Sequence, residues 1–233
     1  MIWVCVGIGV IVFAVLALGA SIIQWNFFLT AVHNGKANRH RQIALTFDDG
    51  PHPLYTQQVL SQLERHGVSA TFFCIGKHVE QFPQLVDEIN QRGHVVANHT
   101  FTHSATIDFH NGMKWTAEIR QTDDAIERII HRKPRFFRPP YGVTTPHLAR
   151  AIRTTGHTVI GWRVRPYDTT ARPAQKIVRT ILTKTKPGDI ILLHDTHDRI
   201  LPVLEQLLPD LKARGFEMVT VETLLQQHAY IQV

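Results

Sequence analysis

Two kinds of hydrophobic pattern divide the chain. Residues 2–23 are almost uninterruptedly apolar, and residues 1–32 contain no Asp, Glu, Lys or Arg. An apolar run of about 20 residues has the length of a membrane-spanning helix. We therefore expect residues 1–31 to form one transmembrane anchor and residues 32–40 to form a polar linker. A cleaved signal peptide is the alternative, but it would begin with basic residues, which this run lacks.

From residue 41 onward, apolar runs of strand length alternate with stretches of helical periodicity. The strand-like runs are Ile43–Phe47, Ala70–Ile75, His94–Ala97, Arg135–Arg138, His157–Trp162, Asp189–Leu193 and Phe216–Thr220. Helical spacing is clearest in residues 79–89, 115–129 and 200–211. This alternation is typical of parallel βα units, so residues 41–233 are predicted to form one α/β domain, either a barrel or a doubly wound sheet.

Polar side chains follow the ends of five predicted strands. They are Asp48 with Asp49, residues 98–103, residues 138–142, Asp168, and His194 with Asp195. In a parallel barrel these strand ends meet at one mouth, where catalytic residues are usually found. The pattern predicts a single site built from separate parts of the chain.

The adjacent aspartates Asp48 and Asp49 raise the cost of ionising each other unless a cation lies nearby. Neighbouring side chains of a strand point to opposite faces, so both can enter one site only if the chain turns. Gly50 and Pro51 predict that turn. One carboxylate can then bind a metal while the other accepts a proton, although a helix cap is a simpler alternative for the pair.

His99 and His103 have the i, i+4 spacing that would place both imidazoles on one face of a helical turn. About one such pair is expected by chance among so many histidines, so the pair alone does not distinguish metal ligands from structural histidines. Thr100 also stands where a zincin motif needs glutamate. Together with Asp49, the two histidines form a common open zinc set.

Composition narrows the class of partner. The formal charge of +6 suits an anionic polymer such as a cell wall, or a solvated basic surface. No dense basic cluster interleaved with aromatic residues occurs, which excludes nucleic acid as the expected partner. Cys5 and Cys74 predict neither a disulfide framework nor a thiolate metal site.

Four motifs resemble, in order and approximate spacing, the polysaccharide deacetylase family, also called the NodB homology domain or carbohydrate esterase family 4. The motifs are TFDDG at 46–50, HTFTH at 99–103, RPPYG at 138–142 and ILLHD at 191–195. The resemblance covers about residues 41–225 and implies a distorted (β/α) barrel of about seven parallel strands. It also implies metal-dependent removal of acetyl groups from N-acetylglucosamine polymers, or of O-acetyl groups from xylan.

The resemblance implies roles for the first two motifs and for the arginine of the third. Asp49, His99 and His103 would hold a divalent metal, usually zinc and sometimes cobalt. Asp48 would be the general base that activates water at the metal, and Arg138 would orient that base.

The remaining motif residues are implied to stabilise charge and to contact substrate. The backbone N–H of Tyr141 would be the oxyanion donor, and His194 would be the general acid that protonates the leaving amine. Leu192 would line a pocket for the acetyl methyl group, and Pro139 and Trp162 are further candidates for substrate contact.

One motif departs from the family pattern of Asp, two residues, Asp, Trp. Here Arg165 and Thr169 replace the first aspartate and the tryptophan. In the family that aspartate supports the catalytic histidine. We expect Asp168 to take over this support of His194, directly or by holding Arg165 away.

Two other classes also fit parts of the pattern. A non-haem iron oxygenase uses two histidines and one carboxylate, and a homologue without activity could bind carbohydrate only. A membrane-tethered deacetylase would act on what lies next to the membrane, so peptidoglycan is the expected polymer, with xylan, chitin oligomers and capsule or biofilm glycans as alternatives. We expect a monomeric enzyme of the cytoplasmic membrane with its catalytic domain outside. The basic residues Lys36, Arg39 and Arg41 after the apolar run favour the opposite orientation.

Overall fold

The structure, a computed structural model, describes residues 2–36 and 40–231. Residue 1 of the predicted anchor, residues 37–39 of the predicted linker and residues 232–233 of the predicted catalytic domain lie outside the described residues.

The described residues form a sheet whose paired strands are all parallel. Its strands are β1 (Ala31–Val32), β2 (Gln42–Asp48), β3 (Thr71–Cys74), β4 (Val95–Asn98), β5 (Phe136–Phe137), β6 (Thr158–Ile160), β7 (Ile190–His194) and β8 (Glu217–Val219). The order across the sheet is β1-β6-β5-β4-β3-β2-β7, and β8 pairs with the start of β2. The seven predicted strands are all present, and the α/β class with parallel strands is confirmed. β1 was not predicted.

The sheet curls into a half-barrel. Residues in or beside strands at its two edges, β1 and β6 on one side and β7 on the other, are joined by scattered backbone contacts instead of a regular strand pair. Just after β6, the N–H groups of Arg163 and Val164 donate to the carbonyl of Ile190 at 2.9 and 3.3 Å. Asn34, just after β1, forms an antiparallel bridge with Asp189, just before β7. Because these contacts replace a regular strand pair, the barrel is distorted.

The described helices cover the outside of the sheet, except the first, which is exposed along most of its length. They are α1 (Ile2–Ser21), α2 (Thr56–Arg65), α3 (Gly76–Gln81), α4 (Pro83–Gln91), α5 (Gly112–Ile130), α6 (Pro146–Thr155), α7 (Ala174–Lys184), α8 (Ile200–Ala213) and α9 (Val221–Leu225). The periodic stretch 79–89 forms two helices because Pro83 begins a new one, as the fixed φ of proline favours. Strand β2 is buried along nearly its whole length, which explains its almost continuous apolar sequence.

The end of α1 and the residues that follow it contact the domain, whereas most of α1 is exposed. The carbonyl of Ala20 at the end of α1 accepts a hydrogen bond from the N–H of Thr144 at 2.9 Å, and Gln24 Nε2 donates to the carbonyl of Trp162 at 3.2 Å. Val32, inside the predicted linker, belongs to β1. Within residues 2–36 and 40–231, no helix has the length and apolarity needed to cross a membrane, and the predicted transmembrane anchor is therefore not supported.

Candidate active site

The carboxyl ends of the strands open into a cleft of about 230 Å³. The predicted site residues that line it are Asp48, Asp49, His99, His103, Tyr141, Trp162, Leu192 and His194. Gly142, Arg165 and Thr169 complete its walls. Three predicted residues, Arg138, Pro139 and Asp168, are buried and do not line the cleft. The convergence expected from the strand ends is therefore present.

The turn after β2 brings both aspartates to the cleft. Asp48 ends the strand and is buried, whereas Asp49 has φ 73, in the left-handed region that few residues other than glycine adopt. His78 Nδ1 donates to the carbonyl of Asp49 at 2.9 Å, and the N–H of Ile75 donates to the carbonyl of Gly50 at 2.9 Å. The chain therefore turns at Asp49 itself as well as at the predicted Gly50 and Pro51.

Asp49, His99 and His103 form a compact set of potential metal ligands. Asp49 Oδ1 lies 3.3 Å from Nε2 of each histidine, and the three ligand atoms lie within 4.8 Å of one another. His99 Nδ1 donates to the carbonyl of Arg138 at 2.7 Å, which leaves Nε2 to face the cleft. Among the described residues, Asp49 Oδ1 is buried without a hydrogen-bond partner. A divalent cation fits this donor set.

The electrostatics of Asp49 agree with a ligand role. Burial by itself raises the pKa of its carboxyl, but contact with His99 and the charges of His103 and His194 hold that pKa well below its ordinary value. The pKa of His103 is lowered to about 4, first by burial and then by the charge of His99. A divalent cation needs an ionised carboxylate and neutral imidazoles, as at Asp49 and His103. At His99, burial lowers the pKa, but the charges of Asp48 and Asp49 outweigh burial and raise it.

The segment 99–103 is a loop and does not form the predicted helical turn. Thr100 and His103 have φ 65 and 50, which an α-helix does not allow. Glu118 on α5 fixes the loop, because its Oε2 accepts the N–H groups of Phe101 at 3.1 Å and Thr102 at 2.7 Å. No local pattern in the sequence indicates Glu118, which acts across 16 residues of chain.

Arg138 holds Asp48 in a fully buried ion pair. Its Nη1 donates to Asp48 Oδ1 at 2.6 Å and to Thr46 Oγ1 at 2.8 Å. Its Nε and Nη2 donate to the carbonyls of Ile160 and Gly161 at 3.0 and 2.9 Å. These hydrogen bonds hold the guanidinium in one position, and the guanidinium in turn fixes Asp48 Oδ1. The other carboxylate oxygen, Asp48 Oδ2, lies 3.8 Å from His99 Nε2.

Asp168 contacts His194 directly. Its Oδ1 lies 3.1 Å from His194 Nδ1, and its Oδ2 accepts the backbone N–H of His194 at 2.8 Å. Burial lowers the pKa of His194, but the hydrogen bond and charge of Asp168, with the charges of Asp48 and Asp49, outweigh it and raise that pKa to about 9. Of the two ways in which Asp168 was expected to act, the geometry shows direct contact.

A second histidine shares the Asp168 carboxylate. His197 Nε2 lies 3.5 Å from Asp168 Oδ2. Burial raises the pKa of Asp168, yet contacts with His194 and His197 lower it to about 2. His197 was not predicted, although it follows the ILLHD motif by two residues.

The wall beside the metal set is formed by the third motif. Tyr141 has φ 58, its side chain is half exposed, and its ring lies 4.8 Å from that of His103. Gly142 has φ 72, and a Cβ there would collide with the indole of Trp162. Leu192 and Trp162 are buried apolar side chains of the same cleft, whereas Pro139 makes no part of its lining.

Asp195, predicted beside His194, points away from the cleft. Thr56 Oγ1 donates to its Oδ2 at 2.5 Å, and its carboxylate lies where a Cβ of Gly50 would stand. Burial raises the pKa of Asp195 to about 7. This buried carboxylate therefore lies against the turn after Asp49, where only glycine leaves room for it.

Comparison with known proteins agrees with this geometry. The family model described as polysaccharide deacetylase matches residues 35–160. A peptidoglycan-N-acetylglucosamine deacetylase of Bacillus cereus is 36% identical over 207 residues, covering 84% of this chain and 74% of the relative. A chitooligosaccharide deacetylase of a Bradyrhizobium species is 34% identical over 204 residues, covering 79% of this chain and 90% of the relative.

Solved structures show the same fold. The crystal structure of a peptidoglycan N-acetylglucosamine deacetylase superimposes with a TM-score of 0.81 at 30% identity, covering 85% of this chain and 94% of that one. A family 4 carbohydrate esterase from Streptomyces lividans in complex with acetate gives 0.72 at 32% identity, covering 76% and 91%. The match confirms the family predicted from the four motifs: the chain belongs to the polysaccharide deacetylase family.

Proposed function

We propose that the protein is a metal-dependent deacetylase that hydrolyses the acetamide of N-acetylglucosamine residues in peptidoglycan. One observation carries the proposal: a base candidate fixed by Arg138 and an acid candidate held by Asp168 face the same cleft as the Asp49 ligand set. Hydrolysis of an amide needs a base, an acid and stabilisation of the oxyanion. An iron oxygenase would have no use for the base and acid in these positions.

Asp49, His99 and His103 are the residues that would hold the metal. A divalent cation such as zinc supplies Lewis-acid activation of water and of the acetyl carbonyl when it is bound there. The buried, unpartnered Oδ1 of Asp49 supports this assignment.

Asp48 is the proposed general base. Its Oδ1 is held by Arg138 at 2.6 Å, so Oδ2 is the oxygen left to accept a proton from the attacking water.

His194 is the proposed general acid. Its Nδ1 is engaged by Asp168, so Nε2 is the nitrogen that gives a proton to the amine as the C–N bond breaks and acetate leaves. A pKa of about 9 keeps the imidazole protonated at neutral pH. The N–H of Tyr141 is proposed to stabilise the oxyanion, and Leu192 with Trp162 to hold the methyl group.

Peptidoglycan is proposed as the polymer because several relatives at about one-third identity are named as peptidoglycan-N-acetylglucosamine deacetylases. The net charge of +6 suits an anionic wall. Because peptidoglycan lies outside the cytoplasmic membrane, the protein is proposed to act on the outer side of that membrane. A periplasmic-type reporter at the carboxyl terminus tests it, and a signal only from a cytoplasmic reporter would contradict it.

The activity is tested with the zinc-loaded chain of residues 1–233, because β1 and the segment before it are attached to the domain. Acetate loss is scored by mass spectrometry on muropeptides, N-acetylglucosamine oligomers and acetylated xylan, with Asp48→Asn as the inactive control. We expect loss from the amino sugars. Loss from xylan alone would indicate an O-esterase, and no loss from any substrate would indicate a binding protein.

A further inference from the structure

Arg165 places a cation in the wall of the catalytic cleft. Its side chain is half-buried and lines the cleft together with Asp48, His103 and His194. Among the described residues, no carboxylate lies within 4.0 Å of its guanidinium, and no hydrogen bond engages it. A half-buried arginine in a cleft usually has an anionic partner, so this one is available to a ligand.

Aromatic rings hold the guanidinium in place. Its Cζ lies 5.4 Å from the ring centre of Trp162 and 5.0 Å from that of Tyr167, and Arg172 lies 5.2 Å from the same tyrosine ring. Contact with a ring face orients a guanidinium while leaving the N–H groups at its edge free. Arg165 is therefore fixed without having its hydrogen-bond donors used.

The carboxylates of the site are already engaged elsewhere. Asp48 is held by Arg138, and Asp168, only three residues from Arg165, is turned toward His194 and His197. Asp49 belongs to the ligand set. The described residues therefore supply no anion to Arg165, and a ligand in the cleft is left to supply one.

We propose that Arg165 binds a carboxylate of the glycan close to the scissile acetamide, and so selects acidic sugars over neutral ones. This inference rests on the proposed function. A guanidinium recognises a carboxylate through two parallel hydrogen bonds. In peptidoglycan such a group is the lactyl carboxylate of a muramic acid residue that carries no stem peptide, and in other glycans it is the carboxylate of a uronic acid. A neutral N-acetylglucosamine oligomer offers Arg165 no partner.

The test compares matched substrates that differ only in this charge. We would measure kcat/KM of the zinc-loaded protein for a muramic acid-containing oligosaccharide and for its neutral methyl ester, and likewise for a uronic acid-containing oligosaccharide and its ester. We expect the acid of one pair to be preferred about tenfold, since hydrogen bonds to charged groups contribute at least that much. The pair that shows the preference identifies the sugar.

Variants attribute the preference to one side chain. Arg165→Gln should reduce the ratio of acid to ester to about one, and Arg165→Lys should restore part of it because the charge remains. Arg172→Gln is the matched control, since Arg172 contacts the same ring without lining the cleft, and it should keep the ratio. Equal rates for acid and ester in the unmodified protein, or an equal fall of both in Arg165→Gln, would overturn the inference.

Binding separates this inference from the proposed function. Calorimetry with zinc-loaded Asp48→Asn should show the acid binding about tenfold more tightly than its ester. If no substrate loses acetate but this preference is found, the deacetylase proposal fails and the inference stands. If Arg165→Gln changes only the inhibition of the enzyme by acetate, Arg165 binds the product acetate and the inference is wrong.

Discussion

The carboxylate of Asp168 contacts both the ring and the backbone of His194, with Oδ1 3.1 Å from Nδ1 and Oδ2 accepting the N–H at 2.8 Å. This double contact fixes the ring and leaves Nε2 directed to the cleft. Burial lowers the pKa of the imidazole, but this contact, together with the charges of Asp48 and Asp49, outweighs burial and raises that pKa to about 9.

Asp168→Asn should move the alkaline limb of the kcat profile to lower pH. Removal of the anion lowers the pKa of His194, so the protonated acid is lost earlier as the pH rises. The acidic limb, governed by the base, should change less. A pH profile of kcat checks this, with Asp198→Asn, an exposed aspartate, as the control. An alkaline limb that stays in place would show that the contact does not tune the acid.

Substitution of the two adjacent aspartates should separate metal binding from proton transfer. Asp49→Asn should lose zinc and activity together, since it removes a charged ligand. Asp48→Asn should keep zinc while kcat falls about 10²- to 10⁴-fold, the usual effect of removing a general base. Zinc content and kcat are measured on the same preparations.

The Asp48 variant also leaves a buried guanidinium without its counter-charge. Breaking a buried ion pair from one side destabilises a protein by about 3–5 kcal/mol, so the free energy of unfolding of Asp48→Asn should fall too. Equal zinc loss in both aspartate variants would contradict the proposed division of roles.

Glu118→Gln should weaken zinc binding although Glu118 is not a ligand. Its carboxylate accepts two N–H groups of the loop that carries both histidines, and loss of such support typically costs metal affinity about 10- to 100-fold. A zinc titration measures the change, and Glu127→Gln on the same helix is the control. Unchanged affinity would mean that the loop holds its shape without the carboxylate.

Gly142→Ala should reduce both stability and activity. The residue has φ 72, and a Cβ would collide with Trp162, so strain of about 1–3 kcal/mol is expected along with displacement of the Tyr141 loop. Gly67→Ala is the matched control, because Gly67 has φ 55 but open space around its Cβ position. Thermal unfolding and kcat/KM should separate the two. Equal effects would show that backbone conformation alone matters.

The strands of this fold could be predicted because each is a short apolar run that ends in polar residues. β1 escaped prediction since two residues, Ala31 and Val32, carry no periodic signal and become a strand only by pairing with β6. The loop at 99–103 escaped for a different reason. Its i, i+4 spacing suggests a helix, yet Thr100 and His103 adopt left-handed conformations that only the surrounding contacts stabilise.

Site residues whose contacts are with distant parts of the chain could not be predicted from the sequence. The metal set and the acid and base candidates lie in motifs at strand ends, so their convergence follows from the parallel topology. Glu118 and His197 carry no local signature, because their contacts join residues that are distant in the chain. Asp168 could be predicted as a partner of His194, but only the geometry distinguishes direct contact from an effect through Arg165.

The attachment of the N-terminal segment links the proposed general base to residues outside the four motifs. His33 packs against Gly161, where no Cβ would fit, and the Gly161 carbonyl accepts a hydrogen bond from Arg138, which holds Asp48. A chimera that replaced this segment with one from a relative would alter the surroundings of the Gly161 carbonyl. Through Arg138, it would also alter the orientation of the Asp48 carboxylate. The segment and the domain are therefore expected to be exchangeable only as a unit.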